Sequence, residues 1–113
     1  MSTALLTPNE VVVQLAELGR ELDAAVRTLR AAEVESVEKR HLADMAESRA
    51  YVSAEGSADL RKHLGRIAAD KLEEDALLAE AVCRYLRARI RATELRVEIG
   101  RSMGASLRSE RQS

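Results

Sequence analysis

Apolar residues recur along the first half of the chain at steps of three and four residues. The first run is Val11, Leu15, Leu18, Leu22, Val26 and Leu29. After a five-residue step, the run resumes with Val34, Val37, His41, Met45, Ser48 and Val52. This spacing is typical of one stripe on a helix, and the slip indicates a shift of the buried face without a break. The pattern predicts one helix over about residues 8–53, with this stripe as its packing seam.

The residues before this run carry a helix-start signal. In Thr7-Pro8-Asn9-Glu10, threonine can serve as the N-cap and proline suits the first helical position. The glutamate three residues after the threonine can close a capping box. We therefore predict that the first helix begins at Pro8.

The strongest break in the chain lies near its middle, at Ala54-Glu55-Gly56-Ser57. Gly56 can adopt the left-handed backbone conformation that ends a helix, and Ser57 can cap the next helix. We predict a turn over about residues 54–57, formed by Gly56 and Ser57.

The second half repeats the helical pattern. Its apolar stripe is Leu60, Leu64, Ile67, Leu72, Leu78, Val82, Leu86, Ile90 and Thr93. It predicts a helix over about residues 58–107, followed by a frayed tail over residues 108–113, because Gly100 and Gly104 weaken the last turns. The two helices are nearly equal in length, so we expect an all-α, coiled-coil-like antiparallel hairpin that forms a single domain over residues 1–113.

The composition fits long helices better than a compact core. Hydrophobic residues make up 46% of the chain, but Tyr51 and Tyr85 are its only aromatic residues. A mixture of aliphatic residues, alanine, glutamate and arginine is typical of coiled coils. Because two helices alone bury little surface, we expect the chain to form a homodimer, as a four-helix bundle.

Charge is distributed unevenly along the chain. Residues 1–75 carry a net charge of −5 and residues 76–113 a net charge of +4, and all eight basic residues of the latter segment are arginines. Arginine is suited to phosphate groups and to ion pairs at interfaces. The candidate residues for binding a protein partner or a nucleic acid are Arg84, Arg87, Arg91, Arg96, Arg101 and Arg108. Alternatively, neighbouring glutamates and the acidic first half neutralise these arginines within the chain.

No constellation of catalytic or metal-binding residues stands out. Glu38 and His41 have the spacing that di-iron bundles use, but such sites need a second pair and further glutamates. The single cysteine, Cys83, excludes an internal disulfide and fits a reducing compartment. We therefore expect no enzyme activity, no cofactor and no bound metal.

The sequence also bears on location. It has no apolar run of about 18 residues, the length that a membrane span needs, and its first residues do not read as a signal peptide. We expect a soluble, cytoplasmic protein with no membrane partner.

Two stretches, residues 54–62 and 95–110, resemble small helical proteins of phages and prophages of Gram-positive bacteria. These proteins are often encoded near genes for DNA replication and recombination, and their family has no established activity. The resemblance implies an accessory role in phage DNA metabolism within the bacterial host. A rival resemblance is to WXG100-type secreted hairpins, although this chain has Ala54-Glu55-Gly56 where those proteins have Trp-x-Gly.

The sequence thus favours a non-catalytic helical interaction protein that docks a protein partner through its apolar seam and arginine-rich second helix. The alternative is an accessory factor of phage DNA replication or recombination that binds nucleic acid through the same arginines.

Overall fold

The computed structural model describes residues 6–112 of the chain, and the side chains of residues 6–111. Helix α1 spans Pro8–Ser53 and helix α2 spans Ala58–Gln112, with no strand in residues 6–112. The prediction of an all-α protein with two long helices is therefore confirmed. The single domain predicted over residues 1–113 begins and ends outside the described residues, and its extent stays a prediction.

Helix α2 continues to Gln112, five residues beyond the predicted end at residue 107. The two glycines expected to weaken its last turns lie against α1 instead, as described below. Arg111 lies in the last turn, where a positive charge interacts favourably with the helix dipole.

The start of α1 is a complete capping box, as predicted. The backbone N–H of Glu10 donates to Thr7 Oγ1 at 3.2 Å, and the backbone N–H of Thr7 donates to Glu10 Oε2 at 3.3 Å. Two backbone donors that the helix itself cannot satisfy thus find acceptors.

The turn between the helices depends on Gly56, whose φ is +110°. A β-carbon at Gly56 would lie 2.9 Å from Leu60 Cδ2, so a larger residue is disfavoured both by backbone conformation and by space. Ser57 Oγ accepts a hydrogen bond from the Leu60 N–H at 3.2 Å and caps α2. Arg61 donates to the Tyr51 carbonyl at 3.0 Å and lies 4.4 Å from the Tyr51 ring centroid, which ties the two helix ends together.

The described chain divides into two compact units. The turn unit comprises residues 29–85, and the terminal unit comprises the described residues up to Thr28 together with those from Leu86 onward. Within each unit, contacts between α1 and α2 pair later residues of one helix with earlier residues of the other, so the helices run antiparallel.

Small residues join the helices of the turn unit. Ala43 of α1 is buried, and so are four residues of α2: Gly65, Ala69, Ala76 and Cys83. A β-carbon at Gly65 would come within 3.0 Å of the Glu47 carbonyl oxygen, so the two backbones approach closely there. Ala69, Ala76 and Cys83 are seven residues apart, which is the heptad spacing of a coiled-coil seam.

The predicted seam of α1 is wrong in the turn unit. Val34, Val37, Met45 and Val52 are 37–74% exposed, and His41 and Ser48 are also exposed. The actual seam follows a strict seven-residue step through residues that are half-buried or buried, namely Leu15, Leu22, Leu29, Ser36, Ala43 and Ala50. The seam therefore passes from leucines to small residues at the point where the apolar stripe slips.

The second predicted stripe is also partly wrong. Leu72, Leu86, Ile90 and Thr93 are half-buried or buried, as expected of a seam. The other five residues are exposed, namely Leu60, Leu64, Ile67, Leu78 and Val82. Their places in the seam are taken by the smaller residues from Gly65 to Cys83.

In the terminal unit, glycines of α2 receive aliphatic side chains of α1. A β-carbon added at Gly100 would lie 2.8 Å from Leu15 Cδ2. A β-carbon added at Gly104 would lie 3.4 Å from Val11 Cγ1. Both Val11 and Gly104 are buried. These two glycines therefore provide space for packing, a role that offsets their low helix propensity.

Arg40 of α1 forms a charged contact with two glutamates of α2 in the turn unit. Its Nη1 donates to Glu73 Oε2 at 2.6 Å, and its Nε and Nη2 donate to Glu80 Oε1 at 3.0 and 2.9 Å. The hydrogen bond to Glu73, followed by that to Glu80, raises the pKa of the Arg40 guanidinium above its usual value. Since Glu73 and Glu80 are seven residues apart on α2, one arginine of α1 bridges two successive heptads of α2.

Two glycine-to-alanine substitutions test the close approach of the helices. Nothing lies within 4 Å of a β-carbon at Gly19, so Gly19→Ala is expected to raise the free energy of unfolding by about 1 kcal/mol through helix propensity. Gly65→Ala is expected to lower the melting temperature, because its methyl group must push the Glu47 backbone away. Thermal unfolding followed by circular dichroism measures both; an equal gain for the two variants would contradict close contact at Gly65.

The charged contact of Arg40 predicts a second difference in stability. Arg40→Lys is expected to lower the melting temperature, because an ammonium group cannot replace the guanidinium fork toward Glu73 and Glu80. Arg49→Lys, at an exposed position of the same helix, is the matched control and should change little. If Arg40→Lys melted at the same temperature as the parent protein, the ion pairs of Arg40 would contribute nothing to stability.

Candidate interaction surface

Large apolar side chains lie on the outside of α2. In the turn unit we define the outer face as Leu60, Leu64, Ile67, Leu78 and Val82. Each of these side chains is 40–60% exposed. Leu60 and Ile67 are seven residues apart, and Leu64 and Leu78 are fourteen apart, so they form two neighbouring columns on one side of the helix. This side is distinct from the seam that contains Ala69 and Ala76.

A second apolar surface lies in the terminal unit. Leu95, Ile99 and Met103 of α2 are 57%, 52% and 40% exposed and follow one another at steps of four residues. With neighbouring residues they line a groove of about 520 Å³, which we call the terminal groove. Its lining residues are Leu6, Leu95, Glu98, Ile99, Ser102, Met103, Ser106 and Leu107. Glu98 is the one charged residue in this lining.

All six candidate arginines are exposed, but they do not share one side of α2. Arg84 belongs to the turn unit, and the other five belong to the terminal unit. Arg87, Arg101 and Arg108 are separated by multiples of seven residues, and Arg91 follows Arg87 by four. By the same spacing, Arg96 lies on the other side of the seam, together with Arg89.

Arg96 faces an acidic residue of α1. Its Nη1 lies 3.9 Å from Glu21 Oε2, and both side chains are more than half exposed. An exposed ion pair of this length contributes little to stability. Both residues line a small cleft that also includes Ala24, Thr28 and Arg89.

The terminal unit carries a net positive charge. Its part of α2 contains seven arginines and three glutamates, whereas its part of α1 contains two arginines and four acidic residues. The net charge of this unit is therefore +2, and that of the turn unit is −3. Within this unit, the α2 part carries a net charge of +4 and the α1 part a net charge of −2.

The residues considered for metal chemistry lie on the surface of α1. Glu38 and His41 are both exposed. Within residues 6–112 there is no group of three or more His, Cys, Asp or Glu residues placed to hold a metal ion. Cys83 is buried, with 3% of its surface exposed, and takes its place among the small residues of the seam.

Neither helix contains, in its described residues, a segment long and apolar enough to cross a bilayer.

The five residues of the outer face were recognised as part of a helical stripe, but they were predicted to pack in the seam. Leu60, Leu64 and Ile67 have helical spacing, and their hydrophobicity outweighs that of Gly65 and Ala69 beside them. The signal that distinguishes the two stripes is the seven-residue repeat of small residues, which begins at Ala69 and continues through Ala76 and Cys83.

Comparison of the chain with protein-family models, with curated proteins and with solved structures gives no match.

Proposed function

We propose that the protein is a non-catalytic helical interaction protein, which dimerises through the outer face of the turn unit and docks a protein partner through its arginine-rich second helix. The observation that carries this proposal is the reversed placement of side chains in the turn unit. Small residues fill the seam between α1 and α2, while large aliphatic residues of α2 remain exposed. Apolar surface of this kind is typical of interaction sites.

Burial of the outer face would offset much of the free-energy cost of self-association. Covering the exposed half of one such aliphatic side chain contributes about 1 kcal/mol, since full burial contributes about 1.5–3 kcal/mol. Two copies, each with the five residues of the outer face, therefore gain about 10 kcal/mol. This is similar to the estimated ~4–15 kcal/mol cost of association, so burial of the outer face offsets that cost without a large surplus, and we expect a dimer to be weak and to depend on concentration.

Two-fold symmetry suits this surface. In a symmetric dimer, each copy presents the same patch to the other, so one apolar face on α2 is sufficient for both subunits. Pairing two such helix pairs gives a four-helix bundle, in which residues exposed in the single chain become the core. The resemblance to small phage proteins supports an accessory role in phage DNA metabolism, with the cytoplasm of the bacterial host as its location.

Nucleic-acid binding is a second candidate function. Arg87, Arg91 and Arg101 of the terminal unit are exposed and lie on one side of α2. Arginines along one side of a helix can follow a phosphate backbone.

Dimerisation is tested by placing charge on the outer face. Leu64→Asp with Ile67→Asp is expected to reduce the solution mass to that of a single chain, because two desolvated carboxylates oppose the contact. Val34→Asp with Val37→Asp, at the same spacing on α1, where the two side chains are 59% and 70% exposed, is the matched control and should leave the mass unchanged. Sedimentation velocity over a range of protein concentrations measures the mass. A parent protein that stayed monomeric throughout would exclude the dimer.

The nucleic-acid candidate predicts binding that depends strongly on salt. Affinity for a single-stranded oligonucleotide should fall steeply as salt rises and be lost when Arg87, Arg91 and Arg101 become alanine. Arg20, Arg27 and Arg30 are exposed on α1, and their replacement by alanine removes the same charge elsewhere. Fluorescence anisotropy at two salt concentrations measures the affinity. Equal losses of affinity in the two triple variants would indicate a nonspecific effect of charge. They would exclude a binding surface on this side of α2.

A further inference from the structure

We infer that two copies of the chain pair their α2 helices antiparallel, so that Lys71 of each copy faces Glu74 of the other. This inference rests on the proposed function, because it gives the orientation and the register of the proposed dimer. It concerns the turn unit alone, and it adds two charged residues to the apolar residues of the outer face.

The outer face belongs to a longer stripe that has the spacing of a coiled-coil seam. From Leu60 to Tyr85, steps of four and three residues alternate along α2 and mark eight positions. This alternation is heptad spacing, and the stripe lies on the side of α2 away from Ala69, Ala76 and Cys83, which are buried in the seam with α1. We call these positions the outer stripe, and in order they hold Leu, Leu, Ile, Lys, Glu, Leu, Ala and Tyr.

The outer stripe is complementary to its own reverse. In an antiparallel contact, the first position of one copy meets the last position of the other, and Lys71 meets Glu74 at the centre on both sides of the two-fold axis. The remaining layers are the apolar pairs Leu60–Tyr85, Leu64–Ala81 and Ile67–Leu78. The chain therefore carries both halves of the contact, and this favours a second copy over a different protein as the occupant of the outer stripe.

Other arrangements of the same stripe oppose unfavourable residues. In a parallel pair in register, Lys71 would face Lys71 and Glu74 would face Glu74, and like charges across an interface are unfavourable. Antiparallel pairs shifted by seven residues would place Glu74 opposite Leu64 or opposite Leu78, where a buried charge has no partner. A polar contact within an apolar seam thus specifies register and orientation.

Both charged residues are accessible to a second copy. Lys71 and Glu74 are exposed, as are Ile67 and Leu78 on either side of them. Lys71 Nζ lies 3.2 Å from Asp75 Oδ1, but 75% of the lysine side chain remains exposed. Because an ammonium group has three N–H donors, Lys71 can keep this contact and also donate to Glu74 of the other copy.

Reversal of the two charges tests the pairing. Lys71→Glu and Glu74→Lys are each expected to weaken self-association about tenfold or more, because each variant opposes like charges twice across the two-fold axis. The double variant with both changes should dimerise as the parent protein does, since each lysine again meets a glutamate. Sedimentation velocity measures the dissociation constants, and circular dichroism checks that each variant remains helical. A double variant as weak as the two single variants would overturn the inference.

A mixture of the two single variants provides a second measurement. The Lys71→Glu protein and the Glu74→Lys protein should associate with each other about as tightly as two parent chains, although each alone stays largely monomeric. Lys62→Glu is the matched control, because it makes the same change of charge at an exposed position of α2 outside the outer stripe. It should leave the dissociation constant within a few-fold of the parent's. An equal loss in Lys62→Glu and Lys71→Glu would indicate a nonspecific effect of net charge and contradict the pairing.

Disulfide formation determines the orientation. Ile67→Cys and Leu78→Cys are made separately in a protein with Cys83→Ala, since alanine already fills the neighbouring position Ala76 of the seam. Under mild oxidation, a mixture of the two proteins should form a covalent dimer on a non-reducing gel, whereas each protein alone should form little. A covalent dimer of the Ile67→Cys protein with itself would indicate a parallel contact and overturn the inference.

The outcomes distinguish this inference from the proposed dimer. A parent protein that stays monomeric at every concentration excludes the dimer itself, and the inference with it. A parent dimer that is disrupted by Leu64→Asp with Ile67→Asp, but is unchanged by Lys71→Glu and by Glu74→Lys, keeps the outer face as the contact and excludes only the antiparallel register.

Discussion

The close contact between the two helices of the turn unit determines which side chains remain available for interaction. At Gly65 the backbones approach so closely that a single methyl group would come within 3.0 Å of the Glu47 carbonyl oxygen. Such contact gains many weak dispersion interactions, but alanine and glycine remove little apolar area from water. The two ion pairs of Arg40, whose side chain is 33% exposed, add a charged contact between the same two helices.

This seam leaves most of the large aliphatic residues outside. A helix normally turns its largest apolar side chains toward the nearest neighbour, because their burial contributes the most free energy. Here Leu64, Ile67 and Leu78 remain exposed, while Ala69 and Ala76 are buried on the same helix. The interior of the turn unit and its outer face therefore have different tasks: the first holds α1 and α2 together, and the second is suited to another surface.

The elements that were predicted correctly depend on local signals. Thr7 and Glu10 form their capping box within one turn of helix, and the φ of +110° at Gly56 needs only the absence of a β-carbon. The choice of packing face is not local, because two stripes on one helix share the same period and the more hydrophobic stripe dominates the pattern. Val37 and Val52 were assigned to the seam for this reason, although Ala43 occupies it. The seven-residue repeat of small residues marks the true packing face, but small residues contribute little to a hydrophobicity pattern.

The candidate arginines show the same limit at the level of the site. Their number and their position in the second half of the chain could be read from the sequence, but their distribution around α2 depends on which residues face α1. Once Ala76 and Cys83 define the seam, the heptad spacing places Arg87 and Arg101 on one side and Arg96 on the other. A seam formed by Leu64 and Leu78 instead would have rotated α2 and turned a different set of arginines outward. The choice of small residues at the helix contact thus determines the cationic surface as well as the apolar one.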